Sequence, residues 1–257
     1  EFETPIKVRH LLGQTSGLRD WMAVLQLAGR EREEWTIDKV LTLLKSQKKL
    51  LFTPGDRFQN SDTDYDLLAE IVKRVTGQPF SDWAWENVFK PLKMTRTSFR
   101  DNCRSIFENE ALSYNFTRSE YLRGIDNLSL IGSHSLFTSI SDLAKWLINF
   151  ETKTLGGPEI FAKILSPGQL NDGRPANFGY GLNARPSLPG RQYVQTGSWA
   201  GSQATLAVLP DQKFGFAVLA NWDYTPLAGF IGGIMDIYFP RPPRPAPAPA
   251  APPAKPV

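Results

Sequence analysis

The sequence predicts an α+β fold, a helical block followed by an antiparallel sheet. Three observations carry this. Residues from about 4 to about 165 hold successive segments of helical periodicity. From about 191 the pattern changes to strand, loop and strand, and a short apolar helix over about 227–239 closes the folded part. Helices in a block followed by a hairpin point to segregated rather than alternating architecture. No internal repeat is present.

Taken in order, Val8 to Leu12 begins a helix, and Gly17 is expected to stop it in the left-handed conformation. Thr36 is the expected cap of a helix running to Leu44. Pro54-Gly55 marks a turn. Asp64 to Val75 reads as an amphipathic helix with Tyr65, Leu68, Ile71, Val72 and Val75 on one side and Gly77 as its stop. Ser81 is the expected cap of a helix to Phe89, and Ser141-Asp142 is expected to open another through Phe150. Tyr193 to Gly197 leads into the sheet. Gln203 to Leu209 is a strand, Pro210 to Lys213 a hairpin loop, and Phe214 to Ala220 the return strand. From Pro240 the chain reads PRPPRPAPAPAAPPAKPV. Proline has no backbone N–H, so this stretch cannot build a regular ladder and is expected to be an extended linker. The predicted division is a folded domain over 1–239 and a linker over 240–257.

Composition bounds the function. Hydrophobic residues make up 41% of the 257 and charged residues 21%, as in soluble globular domains. The net charge is only +3, and no Lys/Arg run is interleaved with aromatics, which argues against nucleic acid as a partner. A single cysteine, Cys103, excludes an internal disulfide and a cysteine zinc site. The two histidines, His10 and His134, are far apart in sequence, against a histidine-rich metal site. No apolar run approaches the length of a membrane span.

Six segments share one further property. Ile6 to Leu18 contains I-x-V-R-H-L-L-x-Q-T-S-G-L. Phe52 to Phe58 reads F-T-P-G-D-R-F, and Tyr65 to Gly77 reads Y-D-L-L-A-E-I-V followed by V-T-G. Phe89 to Thr97 reads F-K-P-L-K-M-T-R-T, Thr138 to Trp146 holds S-x-S-D-L-A-K-W, and Gly197 to Gly201 reads G-S-W-A-G. In this order they resemble the landmarks of the serine β-lactamase and penicillin-binding-protein superfamily, its class C-like branch above all, which includes esterases and D-stereospecific peptidases. The likeness covers nearly everything from Ile6 to Phe239.

The resemblance implies hydrolysis of a small-molecule ester, amide or β-lactam through a covalent acyl-enzyme, with no metal or organic cofactor. A serine hydroxyl needs a base to take its proton. The family supplies one as a lysine three residues later, on a helix that precedes the opening landmark. The fold is therefore expected to lack its N-terminal strands and catalytic helix here, and the chain to be inactive or nearly so. The one Ser-x-x-Lys spacing, Ser46 to Lys49, falls where the family has a variable loop and is not assigned as the nucleophile. The family's second motif, Tyr-x-Asn, aligns with Asn60 and Asp62; neither brings a hydroxyl, and Asp62 replaces a donor amide with an acceptor. A one-residue shift would make Ser61 the proton shuttle. The alternative is that Asn60 and Asp62 only build a turn before the next helix. The third motif aligns with Gln195, Thr196 and Gly197, with the Ser198 N–H as one oxyanion donor. Gln195 carries no positive charge. The alternative is a plain glycine-containing strand bend. His134 reads as a packed or surface histidine rather than a catalytic base, and Trp199 as either a pocket rim or a packed aromatic. A binding protein that keeps the pocket without the chemistry is the rival reading. Loss of the N-terminal strands would leave Phe214 to Ala220 as a sheet edge, a route to self-association. A place outside the cytoplasm is expected only because the family is usually found there.

Overall fold

The computed structural model describes residues 4–30, 32–187 and 190–240. The linker expected over 240–257 therefore lies outside the described residues from 241 onward. The first half runs through α1 (Val8–Leu12), α2 (Trp21–Leu27), β1 (Trp35–Thr36), α3 (Ile37–Lys45), α4 (Asp62–Thr76) and α5 (Phe80–Ala84), which widens into a π turn over Trp85–Phe89. Short strands follow: β2 (Ser98–Phe99), β3 (Tyr114–Thr117), β4 (Glu120–Arg123), β5 (Leu128–Ser129) and β6 (Leu136–Phe137). Then come α6 (Ile140–Thr152), α7 (Gly157–Ile164), β7 (Asn183–Pro186), β8 (Arg191–Trp199), β9 (Ser202–Leu209), β10 (Phe214–Ala220) and α8 (Leu227–Tyr238). Residues 226–257 cluster as a unit of their own, of which α8 is the described helix.

The four long strands form one antiparallel sheet in the order β10-β9-β8-β7, with Val194 opposite Ala207 and Ala207 opposite Phe216. β10 lies at its edge. Phe150 and Phe161 from α6 and α7 pack with Leu182, Ala184, Tyr193 and Val208 of the sheet side to form one core cluster. A second joins Trp21, Met22 and Leu25 of α2 to Trp35, Val40, Leu128 and Leu130, with the Trp21 and Trp35 ring centroids 5.9 Å apart. Burying such side chains contributes about 1.5–3 kcal/mol each.

Local chemistry explains where the elements start and stop, and corrects several expectations. Thr36 caps α3, and Gly77 ends α4 at φ +72°, as the sequence predicts. Gly17 is left-handed (φ +76°) but lies beyond α1, whose C-cap is Gly13. Its real constraint is proximity: a Cβ there would sit 2.2 Å from the Phe52 carbonyl oxygen. α5 begins after Pro79, with Ser81 inside it, and the cap of α6 is Ser139, whose hydroxyl accepts from the Asp142 N–H at 3.2 Å. α2 was not expected. It is nucleated by Asp20, whose Oδ1 accepts from the N–H groups of Met22 (2.7 Å) and Ala23 (3.3 Å). Oδ2 of the same carboxylate accepts from the Asp62 N–H at 3.2 Å, so one side chain caps two helices.

The buried side of α4 differs most from the sequence reading. Val75 is 81% exposed, and Leu68, Ile71 and Val72 are only half-buried. The fully buried positions are Thr63, Asp64 and Asp66, each 0% exposed. Partners distant in sequence make this tolerable. Ser16 Oγ donates to Asp64 Oδ1 at 2.5 Å, and Trp21 Nε1 donates to Asp66 Oδ2 at 2.7 Å. Asp64 Oδ2 has no partner. Burial, reinforced by neighbouring carboxylates including Asp20, raises Asp62 and Asp64 to about 7 and Asp66 to about 6.

These carboxyls hold protons in the folded chain at pH values where the unfolded chain has released them, so stability falls as pH rises. His10 and His134, lowered by burial, act in the opposite sense below their ordinary value near 6.5. From pH 6.5 to 8 the aspartates decide the sign. Urea unfolding is expected to show a loss on the order of 1 kcal/mol across that window. Asp62→Asn should flatten the slope and raise stability at pH 8. A stability that climbs with pH there refutes the assignment.

Candidate active site

A cleft of about 2170 Å³ runs between the C-terminal half of β8 and the loops of the helical block. Ordinary small-molecule pockets hold roughly 300–1,000 Å³. One wall is the strand segment Gln195, Thr196, Gly197 and Ser198, paired with Leu206, Thr205, Ala204 and Gln203 of β9. All four are exposed, unlike Gln192 to Val194 just before them. Gln195 Oε1 accepts from Asn183 Nδ2 at 3.2 Å. A Cβ on Gly197 would meet nothing within 4 Å, so the fold's own packing does not demand glycine there. The open space belongs to the cleft. Ala200 (φ +47°) and Gly201 (φ +84°) then make the two-residue turn that starts β9.

Asn60 and Asp62, aligned with the second motif, line the same cleft as the third-motif strand. Ser61 does not join them. It has extended backbone (φ −152°, ψ 117°), which turns its neighbours outward and its own side chain inward. Ser61 is 2% exposed, its hydroxyl is buried without a partner, and it is not part of the cleft wall. The expectation that it shuttles a proton in this cleft is corrected accordingly. Ser46 ends α3, is exposed, and donates to the Leu43 carbonyl at 2.6 Å, away from the cleft. Tyr65, read from sequence only as part of a helix face, reaches the cleft and donates to the Leu12 carbonyl at 3.1 Å. Burial, with Asp64 nearby, pushes its phenol upward, so it is a neutral donor.

His134 is read from sequence as a packed or surface histidine rather than a catalytic base. It lines the cleft, with its ring edge-on to Trp199 at 5.2 Å between centroids. Its Nδ1 lies 2.7 Å from Ser133 Oγ. Ser133 Oγ and the Ser133 N–H both donate to Asp66 Oδ1, at 2.9 and 2.8 Å. Gly132 makes this approach possible: at φ +147°, a Cβ would lie 2.5 Å from Asp66 Cα. The only local signal was the Gly-Ser-His-Ser run itself. Trp199 is a rim residue, held by Nε1 donating to Asp126 Oδ1 at 2.9 Å. Buried Arg100 ties that carboxylate (2.7 Å) to Glu110 (3.0 Å). Among the described residues no lysine lines the cleft, and no group of three His, Cys, Asp or Glu could hold a metal.

Two glycines in this site should behave oppositely. Gly132→Ala is expected to destabilise by roughly 2–4 kcal/mol, because the alanine is strained and collides with backbone. Gly197→Ala should change stability by less than about 1 kcal/mol. Thermal and urea melts of both variants check the contrast.

Comparison with known proteins agrees with this geometry. The family model described as Beta-lactamase matches residues 2–231. Similar curated proteins include the D-aminopeptidase of Gluconobacter oxydans (strain 621H), 26% identical over 190 residues, which covers 73% of this chain and 36% of that protein. The D-aminopeptidase of Brucella ovis is 25% identical over 218 residues, covering 84% of this chain and 42% of that protein. The chain thus spans less than half the length of these relatives. Among solved structures, the octameric penicillin-binding protein homologue from Pyrococcus abyssi superposes with TM-score 0.78 at 22% identity, over 91% of this chain and 56% of that one. The penicillin binding protein from Bacillus halodurans gives 0.76 at 19% identity, over 90% and 72%. The D-amino acid amidase from Ochrobactrum anthropi SV3 gives 0.63 at 18% identity, over 82% and 63%. Helical block and antiparallel sheet are thus a shared framework, and the chain belongs to the beta-lactamase family with a penicillin-binding-protein-like fold.

Proposed function

We propose that the chain forms the substrate-facing cleft of a β-lactamase-related serine hydrolase, and that residues 4–240 do not themselves supply the activated serine. Its ligand is a small amide, ester or β-lactam, with D-amino-acid amides foremost because the similar curated proteins are D-aminopeptidases. The observation that carries the reading is the makeup of the cleft wall. Gln195 to Ser198, Asn60 and Asp62 all line one cleft, yet among the described residues no lysine lines it. Without the lysine that the family sets beside its serine, the cleft lacks the family's means of activating that hydroxyl.

Incubation with a fluorophosphonate and with a chromogenic cephalosporin, followed by intact mass measurement, tests this. The expected result is no serine adduct, while D-phenylalanine amide perturbs the amide NMR signals of Gly197 and Ser198. A stoichiometric adduct on any serine of the chain overturns it. A second reading, a binding homologue with no hydrolytic parent, is favoured by Asn60, Asp62 and Gln195 in place of the family's chemistry. The polypeptide as encoded in its genome, labelled in the same way, separates the two: an adduct there supports the hydrolase and its absence the binder.

The sheet edge supports a further proposal, pairing between copies through β10, whose Leu219 is 39% exposed. Light scattering is expected to show dimers whose fraction grows with concentration. A monomer at every attainable concentration rejects it.

A further inference from the structure

His134, Ser133 and Asp66 form a hydrogen-bonded chain whose protons can be counted. Both carboxylate oxygens of Asp66 accept from groups that only donate: the Ser133 N–H on Oδ1 at 2.8 Å and Trp21 Nε1–H on Oδ2 at 2.7 Å. Raised only to about 6, Asp66 is the carboxylate at pH 7, where both oxygens only accept, and it is fully buried. The Ser133 hydroxyl has one proton, and Asp66 Oδ1 takes it at 2.9 Å. The Ser133 oxygen can then only accept from His134, so the 2.7 Å contact is Nδ1–H donating to Oγ. That leaves the lone pair of the neutral ring on Nε2. This nitrogen is on the opposite edge of the ring from Ser133. It makes no hydrogen bond among the described residues, and the half-buried ring lines the cleft with Ser198 and Trp199.

We propose that His134 is the proton acceptor of the cleft, with Nε2 taking a proton from a water or alcohol hydroxyl bound beside Ser198, and that Ser133 and Asp66 position it. The proposal rests on the cleft's being a ligand site but not on the absence of a nucleophilic serine. As Nε2 gains the proton, Nδ1–H stays on Ser133, and the buried Asp66 charge lies two hydrogen bonds from the new imidazolium. The other charges around the ring are Asp20 at the head of α2, Asp126 behind Trp199, and Arg100, which is bonded to Asp126. Burial holds the ring below its ordinary value despite Asp126 and Asp20, so it is neutral and able to accept at pH 7.

The chain has only two histidines, and they are wired oppositely. His10 Nδ1 accepts from the Lys7 N–H at 3.2 Å, so its proton is on Nε2. Nitrogen-15 spectra of the full chain with labelled histidine should show one ring of each tautomer. In Ser133→Ala the His134 pattern should shift toward Nε2–H, with His10 unchanged. His134 protonated on Nε2 in the wild type, or unmoved in Ser133→Ala, overturns the positioning.

The function of Nε2 is tested with p-nitrophenyl acetate. Water's oxygen bonds to the carbonyl carbon as its proton passes to Nε2. The C–O bond to p-nitrophenolate then breaks, the electron pair leaves with the phenolate, and Nε2 returns the proton to solvent. His134→Gln should lower this rate at least about tenfold. In the wild type the rate should rise with pH through a single step at the NMR-measured ionisation of His134. Ser133→Ala, which keeps the ring, should move that step. An unchanged rate in His134→Gln, a step elsewhere, or accumulation of acetylated His134 overturns the proposal. A serine adduct would instead overturn the reading of the cleft given above and leave the histidine tests intact.

Discussion

The buried carboxylate of Asp66 is the junction on which the rest of this structure depends. It sits on α4 with no accessible surface, and it accepts from Trp21 on α2 and twice from Ser133 on the loop that carries His134. An ionised group in that position would be prohibitively costly alone. Three donors make it tolerable, and in doing so they fix three segments that are far apart in sequence. The core cluster around Trp21 is thereby in register with the cleft wall. Hydrophobic burial supplies the stability of such a core but is non-directional; the hydrogen bonds to Asp66 supply the direction.

The same logic explains an otherwise odd feature, a helix that turns its acids inward. α4 begins at a double cap shared with α2 through Asp20, so its first turn is wedged against the Ser16 to Trp21 segment. Thr63, Asp64 and Asp66 meet donors there, and an apolar face would leave those donors unmatched. The arrangement gathers acids behind the cleft. Asp62 is the member that reaches the cleft surface, and with its value raised to about 7 it exchanges its proton there near neutral pH.

How much of this the sequence displayed depends on the range of the interactions. Caps and stops made within a few residues were readable: Thr36 before α3, Gly77 after α4, and the hairpin loop after Leu209. Motif alignment singled out Gln195 to Ser198, Asn60 and Asp62, and all six line the cleft. The inward turn of Ser61 was not readable, since which of two alternating faces is buried is decided by packing. α2 has seven residues and little more than its cap to announce it. The inward acids of α4 and the part played by His134 rest on contacts spanning 45 to 67 positions. Periodicity analysis counts apolar residues and has no access to such pairings.

The turn between β8 and β9 has one more consequence. Gly201 lies against the backbone of Tyr114, where a Cβ would stand 2.7 Å from its carbonyl carbon. Gly124 lies under the Ala200 carbonyl, where a Cβ would stand 1.7 Å from the oxygen. The Ser113 hydroxyl donates to that same carbonyl at 2.6 Å. Two glycines and one serine thus interlock the tip of β8 with both flanks of the β3–β4 hairpin. Neither partner can lengthen by a residue without dislodging the other. A side chain added at Gly124 or Gly201 would therefore push turn and hairpin apart and carry the cleft-lining Ser198 and Trp199 with them.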